Sequence, residues 1–274
     1  MTQSTEGAGA NMTSFSDDDA MNRSNASESS TATSEVGHTS ETGSNTTQTN
    51  DIRLAVSTVI FALRPATHPS KKWDIVMPVV RRTRDPHEGE WALPGGWLQA
   101  DEGLSAAASR TLAETTGLHP AYLEQLYAFG AVDRSPTRVV SVVYWALLRA
   151  DAVEERAELE NVAWFSVDGL WGLAFDHDEI VQYALWRLQN KLDYSGIAQG
   201  FLPELFTLSD LREVHEAVLN RPLDPANFRR QIESSKEIVA TDEFRKGSHR
   251  PARLYRTNSE IALANHGPLK PETQ

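Results

Sequence analysis

Between Gly95 and Leu118 the chain reads GGWLQADEGLSAAASRTLAETTGL, a glycine turn running into a helical stretch. On such a helix residues 111, 114 and 115 fall on adjacent turns of one face. A loop and helix of this kind hold magnesium when those positions supply carboxylates, because hard divalent cations take oxygen ligands, charged ones above all. Here only Glu114 is acidic, while Thr111 and Thr115 offer neutral hydroxyls. The expectation is feeble metal occupancy, with Glu114 as a weak ligand of Mg2+, and little or no hydrolysis.

The intervals in this stretch are also distinctive. From Gly96, five residues lead to Glu102 and seven more to Arg110, followed by Thr111, Leu112, Ala113, Glu114, Thr115, Thr116, Gly117 and Leu118. This resembles the Nudix box, G-x5-E-x7-R-E-U-x-E-E-x-G-U with U apolar, at every interval. The resemblance implies a mixed α/β sandwich and a ligand in which a diphosphate is linked to another group. In an active member, cations held there neutralise developing charge and activate water. The substituted threonines remove catalysis from the expectation but leave the pocket, so no catalytic residue and no required cofactor are assigned.

Glu102, Arg110 and Glu114 are the matching pocket residues, and Gly95 and Gly96 admit close backbone approach. Ordinary accounts compete. Arg110 and Glu114 could form a helix-surface pair contributing about 0.3–0.5 kcal/mol, and a turn alone would want the glycines. Arg81 and Arg82, ending a strand-like run, are candidate anion contacts or solvated edge-strand charges.

A second constellation lies toward the C-terminus. On a helix beginning near Pro225, a repeat of 3.6 residues sets Asn227, Arg230 and Ser234 opposite Phe228 and Ile232, with Arg229 and Gln231 on the flanks. Arg can pair with guanine and Asn or Gln with adenine, each through two hydrogen bonds. From Phe244 to Asn258, FRKGSHRPARLYRTN holds Arg245, Lys246, Arg250, Arg253 and Arg256 without an acid. A basic run is usually a solvated surface; behind two capped helices it stands where a wing would touch phosphates or enter a minor groove. Leu254 and Tyr255 have packing of that hairpin as a duller role.

The elements that must carry these groups are legible in the surrounding pattern. RLAVSTVIFAL and WDIVMPVVRR read as neighbouring strands, with further strands in YLEQLYAFGAV, RVVSVVYWALLRA and NVAWFSV. Residues 178–192 place Ile180, Ala184, Leu185 and Leu188 at helical spacing. Together these predict an α/β (α+β) sandwich over residues 52–193, then a linker over 194–203. In TLSDLREVHEAVLN, Thr207 and Asp210 resemble a capping box, and Leu208, Leu211, His215 and Val218 line one face. Asp224 as N-cap and Pro225 at the first helical position open the next helix. Two strand-like arms, IVATDEF and PARLYR, complete the order of a winged helix-turn-helix over residues 204–258.

Bulk properties set outer limits. The chain has 274 residues, no cysteine and a formal net charge of -12. Disulfides, thiol chemistry and cysteine-bound zinc are excluded, and no apolar run approaches a membrane span. No signal segment is evident, so a cytoplasmic location is expected. Acidity argues against nucleic-acid binding in general, yet residues 1–50 set Arg23 against Glu6, Asp17, Asp18, Asp19, Glu28, Glu35 and Glu41, half of the net charge. That Ser/Thr/Asn-rich stretch, residues 1–51, reads as a disordered tail, and residues 259–274 as a flexible one.

Both halves together, the box with its weakened acids and FTLSDLREVHEAVLNRPLDPANFRRQIESS with GSHRPARLYR, resemble the NrtR family of Nudix-related transcriptional regulators over about residues 53–257. The resemblance implies a bacterial, cytoplasmic, homodimeric repressor of NAD biosynthesis and salvage genes. It further implies a palindromic double-stranded operator as partner and release by ADP-ribose or a related NAD-derived nucleotide as effector. The competing expectation is an active Nudix pyrophosphatase with an appended module.

Overall fold

The computed structural model describes residues 51–67, 69, 71–117, 122–149, 161–192, 196–246 and 251–258. The expected tails, apart from Asp51, lie outside the described residues, as do Leu118 and Arg250.

Strand β1 (Arg53–Pro65) organises the sheet. Alternation along it sends Val59, Phe61 and Leu63 into one core and Val56, Ile60 and Ala62 to the opposite face, as a period of two requires. Its first half lies between β4 (Gly95–Trp97), antiparallel from Ala55↔Trp97 to Ser57↔Gly95, and β6 (Val139–Leu147), parallel from Arg53↔Val139 to Phe61↔Leu147. Its second half pairs antiparallel with β2 (Trp73–Arg81), from Ala62↔Val76 to Pro65↔Trp73. Strands β3 (Trp91–Ala92) and β7 (Val162–Ser166) both pair with β2, and β5 (Tyr122–Phe129) pairs with β6. The main path is therefore β3-β2-β1-β6-β5.

Helices cover both faces, which is why β6 is a nearly unbroken buried run. Helix α1 (Leu104–Thr116) lays Ala107, Ala108 and Leu112 on one side and stops at Gly117, whose φ of 62° closes the last turn with its N–H on the Ala113 carbonyl. Helix α2 (His177–Lys191) lays Ile180, Ala184 and Leu188 on the other. Sequence periodicity predicts this helix from residue 178; it begins one residue earlier. Strands β3 and β4 fall where a loop is expected, being too short to show any alternation.

The expected winged order is present. Helix α3 (Leu208–Leu219) carries a full capping box, Thr207 accepting from the Asp210 N–H while Asp210 accepts from the Thr207 N–H. Helix α4 (Pro225–Ser235) is capped by Asp224, which accepts from the Asn227 N–H at 2.8 Å, and buries Phe228 and Ile232. Strands β8 (Ile238–Arg245) and β9 (Ala252–Thr257) form the antiparallel hairpin. On α3 the buried stripe is Leu211, Val214 and Val218, so Val214 takes the central place that the sequence pattern assigns to His215.

Residues expected as a linker do not form a free tether. A 3-10 turn over Gly196–Phe201 buries Ile197, Ala198 and Phe201, and Phe206 exchanges backbone hydrogen bonds of 3.0 and 2.8 Å with Tyr255. These residues share one continuous core with Trp145 and Phe61 of the sheet and Leu211 and Phe228 of the winged half. Lys72 to Glu213, at 2.7 Å, and Gln189 to the Val218 carbonyl, at 3.1 Å, tie the halves at their surface. Among the described residues no helix is long and apolar enough to cross a membrane.

Candidate functional site

The box residues come together around the start and middle of α1. Arg110 clasps Glu102 with two nitrogens, Nε at 3.0 Å and Nη2 at 2.7 Å, and the Gln99 N–H donates to the same carboxylate at 3.0 Å. These partners hold the Glu102 carboxyl below its ordinary pKa, the Arg110 hydrogen bonds first and the Gln99 N–H second. Reciprocally, Glu102 holds Arg110 well above the usual guanidinium value, opposed by partial desolvation. Arg110 also reaches Glu114 at 3.4 Å and, at 3.5 Å, the carbonyl of Trp97. Glu102 and Arg110 thus fasten the loop to the helix. The Glu114 side chain stays 63% exposed.

Thr111 and Thr115 do more than lack charge. Thr111 is 3% exposed and donates its hydroxyl to the Ala108 carbonyl at 3.1 Å; Thr115, 8% exposed, donates to the Thr111 carbonyl at 2.7 Å. Both hydroxyl protons are spent inside the helix, and both side chains pack inward beneath it. The donor set left for a divalent cation is one exposed carboxylate, Glu114, beside one already neutralised by Arg110. These residues do not fit a magnesium site, and no group of three or more His, Asp or Glu side chains able to hold a metal occurs among the described residues.

The two glycines separate in role. A Cβ on Gly95 would lie 2.8 Å from both the Val56 carbonyl and the Ser57 hydroxyl, so Gly95 lets β4 press against β1. A Cβ on Gly96 would meet only Thr111 Cγ2, at 3.7 Å, which is ordinary contact. A side chain there would therefore meet no close obstruction.

Arg81 and Arg82 are not brought to this clasp. Arg81 donates to the Gly89 carbonyl at 3.2 Å; Arg82 donates to Pro86 and Arg84 carbonyls at 2.9 and 3.2 Å and lies over the Phe175 ring. Their hydrogen bonds shape the loop between β2 and β3. Beside it are two groups that sequence reasoning missed. His177 is buried, accepts from the Leu93 N–H at 3.0 Å, and is pushed down to about 4 by burial. Arg134, whose side chain is 5% exposed, grips Asp176 at 2.8 and 2.6 Å and donates to Ser141. Arg134 lies in a loop and His177 is the first residue of α2, ahead of the helical pattern, so no periodicity marks either of them.

In the winged half, Asn227, Arg229, Arg230, Gln231 and Ser234 are all exposed, opposite buried Phe228 and Ile232. Four of these side chains have internal partners: Arg230 donates to Asn227 at 2.5 Å, Arg229 to Glu233 at 2.9 Å, and Ser234 to the Gln231 carbonyl at 2.7 Å. Exposed pairs of this type contribute about 0.3–0.5 kcal/mol and give way readily to a stronger partner. Asn227 and Gln231 also border a cleft of about 280 Å3 floored by Leu219, Phe228 and Ile232.

The wing is less uniformly positive than its sequence run. Arg245 is paired to Asp210 at 2.8 Å, Arg253 donates to the Thr241 carbonyl at 2.7 Å and lies 3.5 Å from Asp242, while Lys246 is exposed. Asp242 and Glu243 stand just ahead of the basic run and belong to the same hairpin.

Comparison with known proteins agrees with both halves. Residues 55–184 match the family model described as the NUDIX domain, and residues 199–257 match the NrtR DNA-binding winged helix domain. The chain is 36% identical over 184 residues to the ADPR responsive transcriptional repressor NtrR of Acinetobacter baylyi, covering 65% of this chain and 74% of that protein. It is 30% identical over 111 residues to an ADP-ribose pyrophosphatase of Methanocaldococcus jannaschii, covering 40% of this chain and 66% of that one. Its fold matches the crystal structure of Shewanella oneidensis NrtR complexed with a 27mer DNA, with a TM-score of 0.67 and 33% identity, over 77% of this chain and 95% of that one.

Proposed function

The chain belongs to the NrtR family, and we propose that it is a transcriptional repressor of NAD-metabolism genes that leaves its operator on binding ADP-ribose or a related NAD-derived nucleotide. The observation that carries this reading is the pair Thr111 and Thr115. Their hydroxyls are turned into the helix where an enzyme would present carboxylates, in a chain whose other half is a winged helix.

In this reading the sensor uses the face of α1 beside Gly96 and Glu114 as its effector cleft, with Arg110 and Glu102 fixing the loop that forms its wall. Arg81 and Arg82 act at one remove, through the loop they hold. Residues Asn227, Arg229, Arg230, Gln231 and Ser234 read base edges, and Arg245, Lys246, Arg250 and Arg253 meet phosphate. The continuous core joining the halves transmits the change without a flexible joint.

Two copies are part of the proposal, because a palindrome is read by paired recognition helices at fixed spacing. Support comes from β5, an edge strand. The ring of its exposed Tyr127 packs at a tilt against Tyr183, centroids 5.6 Å apart, and Tyr183 against exposed Trp186 at 5.5 Å, giving an aromatic strip suited to a self-complementary contact. The protein then acts in the cytoplasm, on the nucleoid.

Binding to DNA from upstream of the protein's own gene, measured with and without ADP-ribose, tests reader and sensor together. Coupling is reciprocal, so operator must weaken ADP-ribose binding by the factor by which ADP-ribose weakens operator binding. Equal ADP-ribose affinity with and without operator would overturn the proposal. The enzyme reading is separated by AMP release from ADP-ribose and magnesium, where turnover above about 1 per second would favour catalysis.

A further inference from the structure

Among the described residues of the winged half, Phe244 is the one large apolar side chain left exposed, at 52%. It lies at the end of β8, followed by exposed Arg245 and Lys246 and facing Arg253, whose guanidinium is 6.0 Å from the ring.

A backbone irregularity sets it there. Between the pairs Ala240↔Tyr255 and Phe244↔Arg253, β8 has three residues where β9 has one. Such bulges re-aim side chains. This one is pinned: the Thr241 hydroxyl donates to the Leu254 carbonyl at 2.9 Å, and the Thr241 carbonyl accepts from Arg253 Nε at 2.7 Å. Paired residues share one side of a hairpin, so Phe244 and Arg253 stand on the side used by Tyr255, beyond the part that the core covers. Tyr255 is buried; Phe244 is not.

An exposed aromatic ring with a guanidinium beside it and two cations next in sequence is poorly matched to water and to a protein core alike. It matches the minor groove of duplex DNA, where stacked bases lie between two phosphate walls. We infer that Phe244 is a wedge, inserted between neighbouring base pairs from the minor-groove side while Arg245, Lys246 and Arg253 hold the flanking phosphates, so that the wing bends the duplex. Asp242 and Glu243, exposed at the bulge itself, repel phosphate there and confine contact to the tip. Selectivity follows at a step that α4 does not read, because pyrimidine–purine steps unstack most easily.

This inference rests on the reading of the chain as a duplex-DNA binder, and the experiment separates the two. Short duplexes selected from a random pool by the full-length wild-type chain are labelled at both ends, and energy transfer reports the bend while anisotropy reports affinity. Phe244→Ala is expected to lose most of the bend and about tenfold in affinity, the scale of unstacking offset by wrapped contacts. Phe244→Leu, still an apolar wedge, is expected to keep both. Circular dichroism confirms that neither exposed-site variant loses its fold. If Phe244→Ala bends and binds like wild type while Arg230→Ala loses sequence preference, the wedge is wrong and the DNA reading stands. If wild type enriches no duplex at all, both fall.

Discussion

Thr115 donates its hydroxyl to the carbonyl of Thr111, at 2.7 Å, one turn back along α1. Both side chains are buried, in a chain similar to one repressor and to one pyrophosphatase.

Replacing both threonines tests what they prevent. The Thr111→Glu/Thr115→Glu chain, with Glu114, presents three carboxylates on adjacent turns. It is expected to bind Mn2+ detectably by calorimetry and to release AMP from ADP-ribose at least about tenfold faster than wild type. Without metal, its buried carboxylates are expected to lower stability in urea unfolding by about 3 kcal/mol or more. Unchanged Mn2+ binding in a folded double variant would mean that the threonines are not what keeps the metal out.

Breaking the clasp tests the loop. Arg110→Ala leaves Glu102 with the Gln99 N–H as its anchor on the loop side. ADP-ribose affinity is expected to drop about tenfold or more through loss of the wall's position, with operator affinity in the absence of ADP-ribose unchanged. Equal losses in both would show a general loss of fold instead.

His177 supplies a pH signature. Its folded pKa, about 4, lies below the ordinary value of 6.5, so the unfolded chain binds the extra proton first as pH falls. Stability contributed by neutral His177 is complete above pH 6.5, declines between 6.5 and 4, and changes no further below 4 through this group. The total is about 3 kcal/mol. His177→Asn, which keeps an acceptor for the Leu93 N–H, is expected to flatten that slope in urea unfolding across the window. An unchanged slope would assign the pH dependence to other groups.

The capping box and wing meet at Asp210, which both caps α3 and pairs with Arg245. Thr207→Ala is expected to cost about 1 kcal/mol of stability and to leave the salt dependence of operator binding unchanged. Asp210→Asn frees Arg245, so the slope of log affinity against log salt is expected to steepen by about 1. An unaltered slope would show that Arg245 makes no phosphate contact.

The aromatic strip is checked by size. Tyr127→Glu/Trp186→Glu is expected to sediment as a monomer and to bind operator at least about tenfold more weakly, because half-sites are then engaged separately. A double variant that still sediments as a dimer would place the interface elsewhere.

What the sequence disclosed follows the reach of its signals. Capping at Thr207, Asp210 and Asp224 is local chemistry, readable from a few adjacent residues, and it appears in the structure as expected. The apolar, β-branched runs of β1 and β6 are long enough to declare themselves as strands. Partner choice is different. Nothing local shows that the Thr111 and Thr115 hydroxyls turn into the helix, that Arg82 is occupied by loop carbonyls, or that Asp210 reaches Arg245 across 35 residues. The glycines and proline of residues 192–206 read as a tether, because local composition does not reveal that Phe201 and Phe206 fill the space between sheet and helices.

Phe201 and Phe206 carry a consequence for how this protein can be taken apart. Cutting ahead of them is expected to strip the reading module of filling it shares with the sheet and to leave wet apolar walls on both fragments.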